Sequence, residues 1–194
     1  MVLDVGAGTG IATRQLAERG AVVTALDVSE PMLRHAPGRR LLADAAALPL
    51  RDGAADLVTC AQAWHWVDHE RASAEVRRVL RPGGLVALWW SQPRSDGEPW
   101  FEAYWDAVER IPGLDRRQRD GDPSPMVRWP IERIDVPWVR TVTAERWMID
   151  EASKSYVATL GDAERAAQLA AIAAVLPGDT FDVRYETSVF LGRP

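Results

Sequence analysis

A chain of 194 residues with 47% apolar and 26% charged residues has the balance of one ordinary globular domain, large enough to bury a core without disulfide or metal staples. Its net charge of -5 argues against a general binder of nucleic-acid backbones. Its one cysteine, Cys60, excludes an internal disulfide and a cysteine-rich zinc site, and no apolar run reaches the roughly 18 residues of a membrane span.

The N-terminus has no basic region followed by a cleavage site, so no signal peptide is read there, and a lone thiol fits a reducing cytoplasm. Val2–Val5 is a short apolar strand stopped by Gly6. Thr9–Arg19 carries Ile11, Ala12, Leu16 and Ala17 at helical spacing and ends at Gly20. Ala21–Leu26 is a β-branched run ending in Asp27, and Ser29 is placed to cap a short helix with Pro31 in its first turn. Arg40–Ala43 is a weak strand before Asp44, and Ala54–Cys60 a stronger one. Asp68 should cap a helix reaching Leu80, with Ala72, Val76 and Val79 on one face. "RPGG" should break it before the apolar strand Leu85–Trp90. Strand–helix alternation with continuously apolar strands predicts a parallel sheet covered on both faces.

Beyond residue 91 the pattern loosens. Pro99–Ile111 reads as a helix, and Pro112–Pro137, with Pro112, Pro123, Pro125, Pro130 and Pro137, as loop with short structured pieces. Ile134–Val142 reads as a strand in which Pro137 demands an edge or a bulge. Thr143 and Asp162 are candidate caps for helices near 144–150 and 163–176. Phe181, Val183, Tyr185, Val189 and Leu191 alternate, which predicts a terminal strand.

Sheets of this kind bind ligands beyond the carboxyl ends of their strands, where strand order reverses. "DVGAGTG" lies at the end of the first strand. Gly6, Gly8 and Gly10 allow a tight turn and a close approach of backbone to ligand, and the helix that follows presents free amides. The same glycines would also serve a plain turn. A dinucleotide fingerprint requires G-x-G-x-x-G, and Ile11 stands where its third glycine would fall. Asp27 is placed to accept both hydroxyls of a ribose, and Asp44 to accept an adenine amino group. For both, helix capping or loop solvation is the competing role. His65, in "AWHW" after the fourth strand, either borders the crevice as a candidate base or is an ordinary loop histidine. Cys60 is read as strand core, and His69 as surface. Trp64, Trp66, Trp89 and Trp90, four of the nine tryptophans, fall at or near two strand ends and would make an apolar pocket. Arg94 is the arginine best placed to meet an anion there.

"VLDVGAGTG", "ALDVSEPML", "ADAAALPL", "DLVTCAQAWHWVD" and "LRPGGLVAL" resemble, in order and spacing over Val2–Trp90, the successive motifs of class I S-adenosylmethionine-dependent methyltransferases. More narrowly they resemble the type-11 branch that includes trans-aconitate-type enzymes acting on small molecules. The resemblance implies an α/β fold, a doubly wound and mostly parallel seven-stranded sheet with an antiparallel C-terminal strand. It implies a single domain over 1–194, with a cofactor-binding core at 1–91, acceptor-side helices and loops at 92–178, and the terminal strand at 179–194. By position it implies that Gly6, Gly8 and Gly10 pass under the methionine part of S-adenosylmethionine and that Asp4 orients this loop or reaches the ammonium through water. Asp27 would hold the ribose and Val28 would pack on adenine. Asp44 and the Ala45 amide would read the adenine edge, and the Ala61 carbonyl would help hold the ammonium. The resemblance also implies helices ahead of the first strand that fold over the site. The sequence opens on the strand, so the expectation is a cofactor face without that lid, which a second copy of the chain would cover. The alternatives are a cofactor-binding protein without catalysis and, disfavoured by Ile11 and Asp44, a nicotinamide-dependent oxidoreductase. Methyl transfer from a sulfonium is an in-line displacement whose main demand is alignment, so His65 is the one catalytic candidate and no metal is called for.

Overall fold

The computed structural model describes residues 1–94, 97–111 and 126–194. Its strands and helices, in chain order, are β1 (Val2–Val5), α1 (Ile11–Glu18), β2 (Val23–Asp27), α2 (Glu30–Leu33), β3 (Arg39–Leu42) and β4 (Ala55–Ala61), followed by a 3-10 turn at Trp64–Trp66. Then come α3 (His69–Val79), β5 (Leu80–Arg94), α4 (Pro99–Val108), β6 (Ile131–Thr143), α5 (Ala144–Ala152), α6 (Ser155–Ala158), α7 (Asp162–Ala173) and β7 (Thr180–Gly192). The seven strands form one sheet in the order β3-β2-β1-β4-β5-β7-β6. β1 pairs in parallel with β2 and β4, β2 with β3, and β4 with β5, and the C-terminal strands are antiparallel. The expected doubly wound α/β sheet is therefore present, with strand order reversing between β1 and β4.

The described residues divide into two compact units. The first takes 1–91, 126–136 and 187–194, and its core joins Leu3, Val5, Leu26, Val58, Val76 and Leu88 across the parallel strands and α3. β1 and β2 are buried nearly end to end, which is why they read as unbroken apolar runs. The second takes 92–94, 97–111 and 137–186, and packs Phe101, Tyr104, Trp105, Val108, Trp147 and Ile172 from α4, α5 and α7 against Val142, Phe181 and Val183. Fully burying one such side chain is worth about 1.5–3 kcal/mol, so each unit has the makings of a core.

Local chemistry explains the element ends. The Asp68 side chain accepts from the Glu70 and Arg71 amides and Thr143 from the Arg146 amide, as the cap reading requires. Ser29 is the N-cap of α2 without a side-chain bond, and α7 starts from Gly161 rather than from Asp162. "RPGG" does not separate α3 from a later strand. α3 already ends at Val79, and Arg81–Gly84 bulge inside β5, so that Ala55 pairs with Leu80 and Leu57 with Leu85. β6 is longer than Ile134–Val142, and its place at the end of the strand order agrees with Pro137, whose missing N–H is tolerated on an edge. Of the loop expected over 112–137, Pro112, Pro123 and Pro125 lie outside the described residues. Among the described residues no helix is long and apolar enough to cross a membrane.

Candidate functional site

β1 delivers the chain into Gly6, Gly8 and Gly10, which take φ of 66°, 56° and 80° before α1 begins. A Cβ on Gly6 would lie 2.5 Å from the Ala63 Cβ, which places the turn after β4 against this loop at the point where strand order reverses. A Cβ on Gly8 would meet only the Met32 Cε, at 3.0 Å, the far end of a flexible side chain. Gly6 and Gly10 are therefore glycines for packing as well as for conformation. Gly8 is open to anything that displaces Met32.

Asp4 is wholly buried in β1. Its carboxylate accepts from Thr13 Oγ1 of α1 at 2.6 Å and from Thr59 Oγ1 of β4 at 2.9 Å, so it bonds to both elements that flank the glycine loop. Burial raises its pKa above the ordinary carboxylate range, and the two threonine bonds offset part of that. A raised pKa means that the folded chain holds this proton more tightly than the unfolded one. The contribution to stability is thus full at low pH and is lost as pH rises through the raised value. Asp4→Asn cannot ionise, so its stability relative to the wild type should improve as pH climbs from about 4 to 7. Urea midpoints measured on both proteins across that range check this.

Asp27, at the end of β2, accepts from the Gly8 amide and from the Ser29 amide, each at 2.8 Å. One lone pair on each oxygen remains for further donors. Val28 follows with 71% of its surface exposed, and Ile11 at the start of α1 is 69% exposed. At the end of β3, Asp44 Oδ1 accepts from the Ala46 amide at 2.8 Å, while Oδ2 and the Ala45 amide make no bond among the described residues. Glu75 and Arg78 of α3, which the sequence analysis did not single out, fasten the segment that follows. Glu75 Oε2 accepts from the Leu48 amide at 2.7 Å, and Arg78 donates to the Leu48 and Leu50 carbonyls at 2.9 and 2.7 Å.

Across the reversal point, Ala61 ends β4 opposite Trp89. Gln62 then takes φ of 58°, the one non-glycine residue with positive φ among the described residues. Its amide donates to the Trp89 carbonyl and its Nε2 to the Ser91 carbonyl, each at 2.9 Å, holding β4 to β5. A glutamine gives no warning of such a conformation in the sequence. Trp64 corrects the pocket reading. It is wholly buried in the core, donates to the Met126 carbonyl at 2.9 Å and meets Trp129 edge-on, so it lines no open surface. Trp66 is 74% exposed, and Trp89 and Trp90 are half-buried. The His65 ring lies 4.8 Å from Trp66 and 6.5 Å from Trp90 between centroids, and its Nδ1 is 3.3 Å from Trp90 Nε1. Lost hydration, and then the charge of His69, pull its pKa below the ordinary histidine value. His69 is half-buried, with Nε2 at 3.1 Å from the Trp64 carbonyl, rather than a free surface ring. Arg94 belongs to the second unit, where its guanidinium is 3.7 Å from Glu186. Cys60 is buried strand core, and burial pushes its thiol up.

Comparison with known proteins adds to this geometry. Residues 3–88 match the family described as a methyltransferase domain. An uncharacterized methyltransferase of Mycobacterium tuberculosis is 40% identical over 163 residues, which cover 81% of this chain and 65% of that protein. The chain thus spans about two thirds of the length of that relative. An uncharacterized methyltransferase-like protein of Schizosaccharomyces pombe is 32% identical over 98% of this chain and 80% of its own length. Among solved structures, a putative type II methyltransferase from Anaeromyxobacter dehalogenans superposes with a TM-score of 0.71 and 26% identity, covering 99% of this chain and 88% of that one.

Proposed function

The chain belongs to the class I S-adenosylmethionine-dependent methyltransferases, and from that premise we propose that it binds the cofactor across the β1–β4 reversal and methylates a small molecule. The observation that carries this reading is Asp27. Its carboxylate is pinned by the Gly8 and Ser29 amides at 2.8 Å each, beside an exposed valine and a glycine loop too close-packed to carry side chains at Gly6 and Gly10. In this reading Asp27 accepts the ribose hydroxyls through its remaining lone pairs, and Val28 packs on adenine. Asp44 Oδ2 and the Ala45 amide, a free acceptor next to a free donor, match the donor and acceptor on the adenine edge. Asp4 positions the loop from within the core rather than touching the ligand, because its side chain is wholly buried between Thr13 and Thr59. The bound cofactor supplies a methyl group on a sulfonium, already activated toward displacement. The protein aligns the acceptor and keeps water away with the Trp66, Trp89 and Trp90 rings.

Calorimetry with S-adenosylmethionine, with NAD as the comparison, tests the reading; no heat at millimolar S-adenosylmethionine would sink it. Asp27→Ala should weaken binding roughly 10- to 100-fold, the loss of hydrogen bonds to a charged acceptor. Arg14→Ala, on the exposed side of α1, should leave binding unchanged.

A further inference from the structure

We propose that Trp90 holds His65 as a hydrogen-bond donor rather than a base, so that the acceptor reaches this crevice with its reacting oxygen already anionic. The inference rests on the methyl-transfer reading above. An indole N–H can only donate. With Trp90 Nε1 at 3.3 Å from His65 Nδ1, that nitrogen is the lone-pair nitrogen of the ring, and a neutral His65 carries its proton on Nε2. A histidine that serves as a base is ordinarily held through its other nitrogen by a carboxylate, which orients the ring and makes it more basic. His65 has the opposite arrangement. Among the described residues no carboxylate bonds to it, an indole N–H occupies its lone pair, and its titratable neighbour is His69, a like charge when protonated. The depressed pKa agrees with a ring that is neutral at physiological pH.

The position of the ring gives this chemistry a consequence. Ala63, two residues before His65, lies against Gly6 of the glycine loop, so the histidine turn borders the cradle where the methyl group is presented. An alcohol that gains a methyl group must lose a proton, and this ring has no lone pair to take it. A neutral amine needs no base to attack, but its product is a cation facing the N–H donor of His65. An oxyanion has no proton to lose. Its C–O bond forms as the donor's C–S bond breaks, the electron pair stays on sulfur, and the two opposite charges cancel. The Nε2–H of His65 is then free to bond to a second oxygen of the acceptor and fix its direction, with Trp66 as a flat apolar wall beside it.

Nitrogen-15 spectra of the imidazole rings of the whole chain test the first half, and with only His35, His65 and His69 to assign they are tractable. His65 should show Nε2–H, with Nδ1 unprotonated and hydrogen-bonded, and should titrate below the ordinary value of about 6.5. Trp90→Phe should shift the Nδ1 resonance and raise the midpoint. Protonated Nδ1 in the wild type, or a spectrum indifferent to Trp90→Phe, overturns the proposal. The second half is tested by release of S-adenosylhomocysteine with a panel of carboxylic acids, acidic phenols, alcohols and amines. Turnover should be confined to the first two. With a working acceptor, His65→Gln, which keeps a donor, should cost less than about 10-fold in kcat/KM, and His65→Phe more. A base would lose roughly 10²- to 10⁴-fold in either variant. Turnover restricted to alcohols or amines overturns the proposal, as does equal large loss in both variants. Failure to bind S-adenosylmethionine defeats the methyl-transfer reading instead, and the ring spectrum still decides the tautomer.

Discussion

Gly10→Ala should destabilise the chain by about 3–5 kcal/mol, and the size of the effect follows from two costs that fall on one atom. Gly10 takes φ of 80°, where a side chain strains the backbone by roughly 1–3 kcal/mol. The new Cβ would also lie 2.6 Å from the Ala36 Cα, 2.7 Å from its Cβ and 2.7 Å from the Pro37 Cδ. These are backbone and ring atoms that cannot swing aside, so α1 must move off the segment after α2, at an overpacking cost of roughly 1–3 kcal/mol. Gly20, past the other end of α1, separates the two terms. Its φ is 87° but its Cβ position is empty within 4 Å, so Gly20→Ala should cost only about 1–2 kcal/mol. Urea unfolding of the two variants beside the wild type checks the contrast. Equal losses would mean that strain alone sets the cost. Because Gly10 also fixes where α1 starts, its variant should lose cofactor binding at temperatures where Gly20→Ala retains it.

This contrast shows what a linear reading can and cannot find. The glycine pattern, Asp27 and Asp44 were legible because parallel strands are buried on both faces and end in punctuation, so position along the chain already gives position in the sheet. That Gly6 and Gly10 are held by Ala63 and Ala36 was not legible, since those neighbours come from other strands and turns. Trp64 and Trp66 are two residues apart in "AWHW", yet one is wholly buried and the other 74% exposed. A three-residue turn is too short to display a period in the sequence, and at three residues per turn positions two apart point in different directions. Gln62 left no trace for a similar reason: a left-handed glutamine is imposed by the bonds around it, not by its own preference. The second unit was the least legible part. Its helices were found to within a few residues, apart from the four-residue α6, but its polar centre joins residues about 50 positions apart.

That centre carries the other large prediction. Lys154, the one lysine of the chain, donates to Glu151 Oε1 at 2.5 Å and to the Tyr104 hydroxyl at 2.9 Å. The Tyr104 hydroxyl donates in turn to the same glutamate oxygen at 3.0 Å. The ammonium also lies within 6 Å of the Tyr104, Trp147 and Tyr156 ring centroids, so aromatic faces replace part of its water. The partners are unequal. The Glu151 side chain is 1% exposed with Oε2 unbonded among the described residues, whereas Lys154 keeps 29% of its side chain in solvent. Lys154→Met should therefore cost about 2–3 kcal/mol, below the 3–5 typical of a fully buried pair, because it strands a carboxylate that cannot reach water. Glu151→Leu should cost about 1 kcal/mol, since the freed ammonium can turn outward and Tyr104 loses one acceptor. The double variant should cost about 1 kcal/mol, no more than Glu151→Leu alone, so a double-mutant cycle read by urea unfolding should give a coupling of about 2–3 kcal/mol. Additive losses would instead mean that the two side chains act separately, the lysine through its aromatic neighbours. In that case Lys154→Arg, which keeps the cation over the rings, would rescue stability even in the Glu151→Leu background.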